Sequence, residues 1–300
     1  MSALLNPPSS TAERPRVGVV VLTMGKRPED LTRAIKSVLA QRNVMVDVAV
    51  VGNGWRPDLV VGGVKSVYLP ENLGIPAGRN AGVSKVSGEY LFFLDDDASL
   101  PDSDFLSRGI AMLVEDPSIG IIQPMVIDPS GTTPPKRWIP RLRKGDATHS
   151  SNVFSVWEGA VLTTRAVFDR IGGWGDPYFY AHEGIELAWR TWNAGYRVWY
   201  AGNLVANHPV INPTRHDFYF RLNARNRVWL AKRNLPWILA PFYVGSWTLV
   251  QLVRWVRHRE GLKPWFSGWV EGWKTSPGGR EAMPWSTIWR MTRAGRFPIL

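Results

Sequence analysis

The chain has 300 residues, 45% of them hydrophobic and 20% charged, which is typical of a folded globular protein and not of a disordered one. It contains no cysteine, so a disulfide-stabilised scaffold and a thiolate metal centre are excluded. The formal net charge of +11 points to a polyanionic partner: a nucleic acid, an anionic membrane surface or a phosphorylated substrate.

The first strand and the first helix follow a short polar lead. Residues 1–15 are rich in Pro and Ser and lack a long apolar core, so we expect a disordered segment and not a signal peptide. The β-branched run Arg16–Thr23 predicts a strand that is covered on both faces. Pro28 then marks the first turn of a helix, because proline tolerates that position.

Strands and helices alternate along the following residues. We predict strands within residues 44–54, 64–72 and 88–97 and a helix over residues 75–86. This alternation is typical of an α/β fold with a mostly parallel sheet flanked by helices. In such sheets, ligands bind at the carboxyl ends of the strands.

Three consecutive aspartates, Asp95, Asp96 and Asp97, follow the apolar run of the fourth predicted strand. Their carboxylates repel one another, and a divalent metal held by the Asp-x-Asp pair would remove that repulsion. Two chemistries use such a cluster: phosphoryl transfer by an aspartyl-nucleophile phosphatase, and sugar transfer from a nucleotide diphosphate. A solvated acidic loop is the third interpretation.

The segment before the aspartates favours sugar transfer. Its sequence, NLGIPAGRNAGV (residues 72–83), resembles the N-x-G-x-x-x-A-R-N-x-G signature of the family 2 glycosyltransferases, with Gly78 in place of the usual Ala. The resemblance continues in the family's order through VVVLTMGKRPEDLTRAIKSVLAQ, FFLDDDA, GAVLTTRAVFDRIGGWGDPYF, HEGIELAWRTWNAGYRV and RNRVWLAKRN. It spans about Val17 to Asn234 and implies a GT-A fold, which we assign to residues 16–232.

The resemblance also implies a site that transfers a sugar from a nucleotide diphosphate to a hydroxyl with inversion. By this resemblance, eight residues contact the nucleotide sugar: Thr23, Asn53, Asn72, Gly74, Arg79, Asn80, Asp95 and Asp96. Asp95, Asp97 and His208 would hold a divalent cofactor, Mn²⁺ or Mg²⁺. One position departs from the family, because Gly52 stands where an aspartate usually contacts the base.

An inverting transfer needs a general base, and the HEGIEL segment resembles the family's acidic motif at that place. We predict Glu183 as the base and Glu186 as a second acid that orients a helix end or the acceptor. The alternative is that both acids only stabilise a helix N-terminus. Acceptor contacts are expected from Trp157, Glu158, Trp174 and His182, although buried packing is an equally good role for either tryptophan.

Nine of the 16 tryptophans lie in the last 72 residues, which are also basic. The run Leu235–Val253 has no charge, and Trp265, Trp269 and Trp273 share one predicted helical face. We predict that residues 233–300 form a helical region that associates with an anionic membrane, peripherally, at the cytoplasmic face of the plasma membrane. A helical subdomain or a homo-oligomer contact is the alternative.

Within the family, the sequence is most similar to galactofuranosyltransferases of cell-wall galactan synthesis in mycolic-acid bacteria. This likeness implies UDP-galactofuranose as donor and a polyprenyl-diphosphate-linked rhamnosyl-GlcNAc as acceptor. A rhamnosyltransferase that uses dTDP-rhamnose is the rival within the fold. No nucleic-acid-binding motif accompanies the basic residues, so no nucleic-acid partner is expected.

Overall fold

The structure is a computed structural model that describes residues 13–58, 62–140, 145–211, 216–255 and 260–298. Most of the predicted N-terminal lead, residues 1–12, lies outside these ranges. The strands are β1 Arg16–Thr23, β2 Met45–Asn53, β3 Val64–Leu69, β4 Tyr90–Asp95, β5 Ile119–Ile127, β6 Ser151–Asn152, β7 Ala160–Thr164 and β8 Arg197–Asn207. The α-helices are α1 Pro28–Leu39, α2 Ile75–Val83, α3 Phe105–Glu115, α4 Arg165–Arg170, α5 Glu183–Asn193, α6 Asp217–Asn234, α7 Leu239–Trp255, α8 Leu262–Lys274 and α9 Trp285–Arg293.

The eight strands form one sheet in the order β3-β2-β1-β4-β7-β5-β8-β6. The first four strands along the chain pair in parallel, as the sequence predicts. The short strand β7 runs antiparallel between β4 and β5, and β6 runs antiparallel to β8. The predicted α/β class with a mostly parallel sheet flanked by helices is therefore confirmed, with antiparallel strands added in its second half.

Strand β4 is covered by core residues on both faces of the sheet. Leu91 and Phe93 pack into the core on one face, and Phe92 and Leu94 pack into the core on the other. Side chains alternate between the two faces of a strand, so a strand covered on both sides is apolar throughout. The first charged residue is Asp95, the last residue of β4, which lies where the carboxyl ends of the parallel strands meet.

The C-terminal helices α7 and α9 pack against α5. Leu239 and Tyr243 of α7 and Ile288 and Met291 of α9 belong to the same buried cluster as α5. In the part of the chain that the structure describes, no helix is both long enough and apolar enough to cross a membrane. Arg257 and Arg259, which flank the uncharged run, lie outside the described residues.

The predicted tryptophan face of α8 does not point to solvent. Trp265 is buried against Trp255, with ring centroids 4.9 Å apart, and Trp269 is partly buried. Of the three, only Trp273 is exposed, because Trp265 and Trp269 pack against the cluster of Ala224 from α6 and Trp255 from α7. The exposed apolar residues instead form two outer stripes: Phe242, Leu249, Leu252 and Val253 on α7, and Leu262, Phe266, Val270 and Trp273 on α8.

Candidate functional site

A cavity of about 610 Å³ opens at the carboxyl ends of β1, β2 and β4. Its walls include all three aspartates, His208 after β8, and the loop after β1. Parallel strands bring these separate segments together, because their carboxyl ends meet at one edge of the sheet. Eight of the predicted donor and metal residues line the cavity: Thr23, Asn53, Asn72, Gly74, Asp95, Asp96, Asp97 and His208.

Asp97 is the most heavily paired of the three carboxylates. His208 Nε2 lies 3.0 Å from Asp97 Oδ1, and Arg27 Nη1 contacts Asp97 Oδ2. Burial would raise the pKa of Asp97, but His208 and Arg27 outweigh it and hold the pKa below its usual value. In the same way, Asp97 raises the pKa of His208 against the effect of burial. The two side chains therefore favour each other's charged form.

Asp95 forms an ion pair with Arg79. Arg79 Nη2 donates to Asp95 Oδ1 over 2.7 Å, and the guanidinium lies 4.7 Å from the Trp174 ring centre. Arg79 is only 1% exposed, and its Nε and Nη1 atoms have no hydrogen-bond partner among the described residues. Two nitrogen atoms of Arg79, which carry three N–H groups, are thus not bonded by any described residue.

Asp96 is held mainly by a neutral donor. Thr23 Oγ1 donates to Asp96 Oδ2 over 2.6 Å. Burial and the charges of Asp97 and Asp95 raise the pKa of Asp96 to about 6, against the opposing effects of Thr23 and Arg27. Three adjacent acids therefore have three different environments.

Two indole rings enclose His208. The Trp138 and Trp157 ring centroids lie 5.1 Å and 4.9 Å from the imidazole centroid, and both contacts are edge-to-face. A side chain at Gly159 would meet the Trp157 ring at 2.1 Å and Asp95 Oδ2 at 2.7 Å. The predicted acceptor residue Trp157 is thus half-buried beside the acidic cluster, and Gly159 makes that approach possible.

The donor set fits a divalent metal. Asp95, Asp97 and His208 each offer one ligand atom, and these atoms all lie within 4.8 Å of one another. Two carboxylate oxygens and one imidazole nitrogen suit Mn²⁺ or Mg²⁺. The sequence therefore identified a group of residues that the fold does bring together.

An amide network shapes the opposite wall of the cavity. Asn53 Nδ2 donates to Asn72 Oδ1 (2.9 Å) and to the Gly74 carbonyl (3.1 Å), and Asn53 Oδ1 accepts from the Leu73 amide (2.8 Å). Gly74 has φ 87°, and a side chain there would meet the Phe179 backbone at 2.6 Å. Asn53 thus holds the loop before α2 and is buried, whereas Asn72 is exposed.

The departure at Gly52 has a steric reason. A Cβ atom at this position would lie 2.0 Å from the Trp55 carbonyl oxygen. The chain turns back over Gly52, and the Trp55 ring covers Gly25, where a Cβ would lie 2.3 Å from it. An aspartate cannot replace Gly52 without moving this turn, so a base bound here has no carboxylate at that place.

Two predicted contact residues are used within the protein. Asn80 Nδ2 donates to the Trp174 carbonyl (2.8 Å), Asn80 Oδ1 accepts from the Trp174 amide (3.0 Å), and Asn80 also contacts Asp176. Trp174 is 2% exposed and packs edge-to-face on Phe93 at 5.3 Å. Neither residue lines the cavity. Trp174 supports the Arg79 guanidinium instead.

Glu183, the predicted base, begins α5 and is 3% exposed. Its Oε2 atom has no hydrogen-bond partner among the described residues. Burial and the neighbouring Glu158 raise the pKa of Glu183 to about 8, although Arg79 lowers it. Glu158, predicted as an acceptor residue, accepts from the Gly184 amide over 2.9 Å, and burial raises its pKa as well.

The second predicted acid, Glu186, faces away from the cavity. It is completely buried, accepts from Arg190 Nε over 2.6 Å, and lies 3.4 Å from Arg233 Nε. Arg190 also donates to the Ile171 carbonyl. These contacts join α5 to α6 and to the end of α4. The geometry therefore assigns Glu186 to fixing α5 in the fold and not to touching a substrate.

His182, predicted on the acceptor side, precedes α5 with φ 69° and is buried. Its Nε2 atom lies 3.0 Å from the Asn223 carbonyl of α6. Burial and the Arg227 charge hold the pKa of His182 well below its usual value, so the ring is neutral. The structure thus places His182 between two helices.

Sequence reasoning missed several residues of the cavity wall. Arg27 and Lys26 lie in the loop after β1, and Phe179, Tyr180 and Phe218 come from later segments. Arg27 had a usable signal, because it lies four residues after Thr23, the carboxyl end of the first predicted strand. The aromatic residues had none, since aromatic rings at those positions are equally typical of a core.

The sheet order and the acidic cluster at the end of β4 define a fold of the GT-A type, that of nucleotide-sugar transferases. The family model described as "Glycosyl transferase family 2" matches residues 19–172. This match covers just over half of the chain, which therefore belongs to glycosyl transferase family 2.

The chain is also similar to curated relatives. Over 257 residues it is 24% identical to the pre-mycofactocin glycosyltransferase of two Mycobacterium tuberculosis strains, CDC 1551 and H37Rv. The alignment covers 80% of this chain and 48% of the relative. The chain thus spans about half the length of the curated relatives it matches.

Three solved structures share the fold. GalNAc-T7 with UDP, GalNAc and Mn²⁺ superposes with a TM-score of 0.61 at 16% identity, over 78% of this chain and 50% of that chain. The Pyrobaculum calidifontis mannosyltransferase PcManGT with GDP-Man and Mn²⁺ gives 0.55 at 17%, over 96% and 78%. Staphylococcus aureus TarS 1–349 with UDP-GlcNAc gives 0.51 at 13%, over 72% and 66%.

Proposed function

We propose that the protein is an inverting, metal-assisted galactofuranosyltransferase. It moves galactofuranose from UDP-galactofuranose to a polyprenyl-diphosphate-linked rhamnosyl-GlcNAc. The observation that carries the transferase part is the cavity that brings Asp95, Asp97 and His208 within 4.8 Å of one another in a family 2 fold. The sugar and the acceptor rest on the sequence resemblance.

Asp95, Asp97 and His208 would hold the metal, which when bound neutralises the diphosphate leaving group. Two proteins of the same fold, GalNAc-T7 and PcManGT, were solved with Mn²⁺ and a nucleotide or a nucleotide sugar. Arg79 supports the same proposal from the protein side. Its unpartnered Nε and Nη1 atoms suit a diphosphate oxygen, because a guanidinium forms paired, charge-assisted hydrogen bonds.

Glu183 is the proposed general base. The acceptor hydroxyl oxygen attacks the anomeric carbon from the face opposite the diphosphate, and its proton passes to the Glu183 carboxylate. The bond between the anomeric carbon and the diphosphate oxygen breaks, and the nucleoside diphosphate leaves with the electron pair. A pKa of about 8 suits a group that must accept a proton near neutral pH.

A peripheral position at the cytoplasmic face of the plasma membrane fits the proposed lipid-linked acceptor. The outer stripes of α7 and α8 expose apolar side chains, and Arg254, Lys263 and Lys274 lie on the same two helices. Apolar side chains flanked by cations are the usual features of a helix that lies on an anionic bilayer. We propose these stripes as the membrane-contacting surface.

The test offers purified protein a synthetic polyprenyl-diphosphate rhamnosyl-GlcNAc together with UDP-galactofuranose or dTDP-rhamnose, and reads the product by mass. We expect a mass increase of one or more hexoses with UDP-galactofuranose alone. Transfer of a deoxyhexose from dTDP-rhamnose instead would establish the rhamnosyltransferase rival. Family membership leaves the phosphatase alternative without support.

A further inference from the structure

The segment that contacts α2, which carries Arg79, and precedes α5, which begins with Glu183, takes an unfavourable backbone conformation. Phe179, Ala181 and His182 have φ values of 63°, 72° and 69°. Such left-handed conformations cost on the order of 1–3 kcal/mol for a residue with a side chain, and they persist only where the surroundings impose them. We call residues 178–182 the left-handed segment.

The left-handed segment touches both halves of the proposed site. The Phe179 carbonyl accepts from the Ile75 amide over 2.8 Å, at the first residue of α2, the helix that carries Arg79. At the other end, the His182 carbonyl accepts from the Glu186 amide over 2.9 Å, which closes the first turn of α5 behind Glu183. A shift of this segment would therefore move Glu183 relative to Arg79.

One side chain of α6 holds the segment from behind. Asn226 is completely buried, and its Nδ2 atom lies 2.8, 2.8 and 2.9 Å from the carbonyl oxygens of Tyr178, Tyr180 and Ala181. An amide nitrogen has two protons, so three carbonyls around it use its donor capacity fully. Its Oδ1 atom is fixed in turn by Arg225 Nε over 3.0 Å.

We propose that Asn226 is a positioning residue for transfer: its amide imposes the left-handed segment and so places Glu183 opposite the donor. This inference rests on the proposed function, in which Glu183 is the base. Asn226 acts through backbone carbonyls and does not line the cavity. Its removal should therefore slow the transfer step more than it weakens donor binding, because misplacing a reacting group by about 1 Å can cost about 100-fold in rate.

Asn234 supplies a matched control on the same helix. It is 1% exposed, and its Nδ2 atom donates to the Leu230 carbonyl over 3.1 Å, within the backbone of α6 itself. Like Asn226→Ala, Asn234→Ala removes a buried side-chain amide from α6. The Asn234 amide, however, bonds to Leu230 and not to the left-handed segment. Both variants are compared for kcat, for the dissociation constant of UDP, and for hydrogen exchange at the Ile75 and Glu186 amides.

For Asn226→Ala we expect kcat to fall roughly 100-fold, UDP affinity to stay within about 3-fold, and exchange at Ile75 and Glu186 to accelerate. For Asn234→Ala we expect kcat within about 3-fold of wild type and unchanged exchange at those two amides. Equal losses of kcat in the two variants would overturn the inference, and so would faster exchange without loss of kcat. If the wild type transfers no sugar, the proposed function fails, and the exchange rates alone decide whether Asn226 holds the segment.

Discussion

Arg79 and Asp95 form an ion pair with 2.7 Å between Nη2 and Oδ1, in which Arg79 is buried behind the cavity and Asp95 lines it. Trp174 lies under the guanidinium, and Nε and Nη1 have no hydrogen-bond partner among the residues that the structure describes. Burying a cation with unbonded N–H groups lowers the stability of the fold unless a further acceptor binds those groups. The pair therefore indicates an anionic ligand beside the acidic cluster.

Arg79→Lys should lower kcat/KM for the nucleotide-sugar donor by about 10- to 100-fold. A lysine keeps the charge but loses the planar pair of donors, and charge-assisted hydrogen bonds of this kind contribute about 1.5–3 kcal/mol each. Steady-state kinetics against donor concentration measure the change. Arg33→Lys, at an exposed pair with Asp30, is the control and should stay within about 2-fold. Equal kinetics in both variants would remove Arg79 from the donor site.

Glu183→Gln should abolish transfer while nucleotide binding persists. General base catalysis contributes about 100- to 10,000-fold, so kcat should fall by that factor and the dissociation constant of UDP should change little. Single-turnover transfer and calorimetry of UDP binding separate the two quantities. If the variant retains more than about a tenth of the wild-type rate, another residue is the base.

The same substitution should stabilise the fold at alkaline pH. The folded-state pKa of Glu183, about 8, lies above its usual value of 4.5, because burial and the Glu158 charge disfavour the carboxylate. The contribution of Glu183 to stability is thus complete below pH 4.5 and is lost as pH rises to 8. We expect the unfolding free energies of wild type and Glu183→Gln to match near pH 4.5 and to differ by about 4 kcal/mol at pH 8.5. Urea unfolding at both pH values measures this, and a constant difference would contradict it.

Glu158→Gln should shift the activity profile toward acid. Removing the Glu158 charge lowers the pKa of Glu183, so the acidic limb of kcat against pH should move to lower pH. The amide oxygen of the glutamine can still accept from the Gly184 amide, which protects the start of α5. A limb that stays in place or moves toward alkaline pH would show that the two carboxyl groups do not interact during catalysis.

The outer stripe of α7 gives a prediction about the membrane. Phe242→Glu and Leu249→Glu should each reduce sedimentation with phosphatidylglycerol-containing vesicles several-fold, because each places a negative charge among exposed apolar residues. Val114→Glu on α3 is the control, since Val114 is 63% exposed but lies far along the chain from the stripe. Identical vesicle binding by all three variants would exclude the α7 stripe as the contact.

The first half of the fold is readable from the sequence because each signal there is local. Apolar runs such as Arg16–Thr23 coincide with observed strands, and Pro28 begins α1. Strand β7 was not predicted, because its antiparallel insertion between β4 and β5 depends on pairing and not on composition. Burial of Trp265 was likewise missed, since it depends on which side of α8 meets α6 and α7.

The candidate site divides in the same way. Asp95 and Asp97 could be predicted because carboxylates follow an apolar strand and strand ends converge, whereas His208 was predicted through the family resemblance. The family resemblance predicted different roles for Glu183 and Glu186, but the contacts that separate them could not be predicted. Both begin the same helix, and only the packing of Arg190 and Arg233 against Glu186 separates them. Asn226 lies in the RNRVWLAKRN segment of the family resemblance, but nothing in the sequence indicated its role, since its partners are backbone carbonyls.

Metal-assisted transfer at the Asp95, Asp97 and His208 cluster would make activity depend on a bound divalent ion. The most direct measurement is sugar transfer from UDP-galactofuranose to the lipid-linked acceptor after chelation, followed by addition of Mn²⁺ or Mg²⁺, in wild type and in Asp97→Asn. We expect chelation to stop transfer, added metal to restore it in the wild type, and Asp97→Asn to remain at least about 100-fold slower at saturating metal. If chelated wild-type protein, verified to be free of metal, transfers sugar at an undiminished rate, transfer does not need a metal at this cluster.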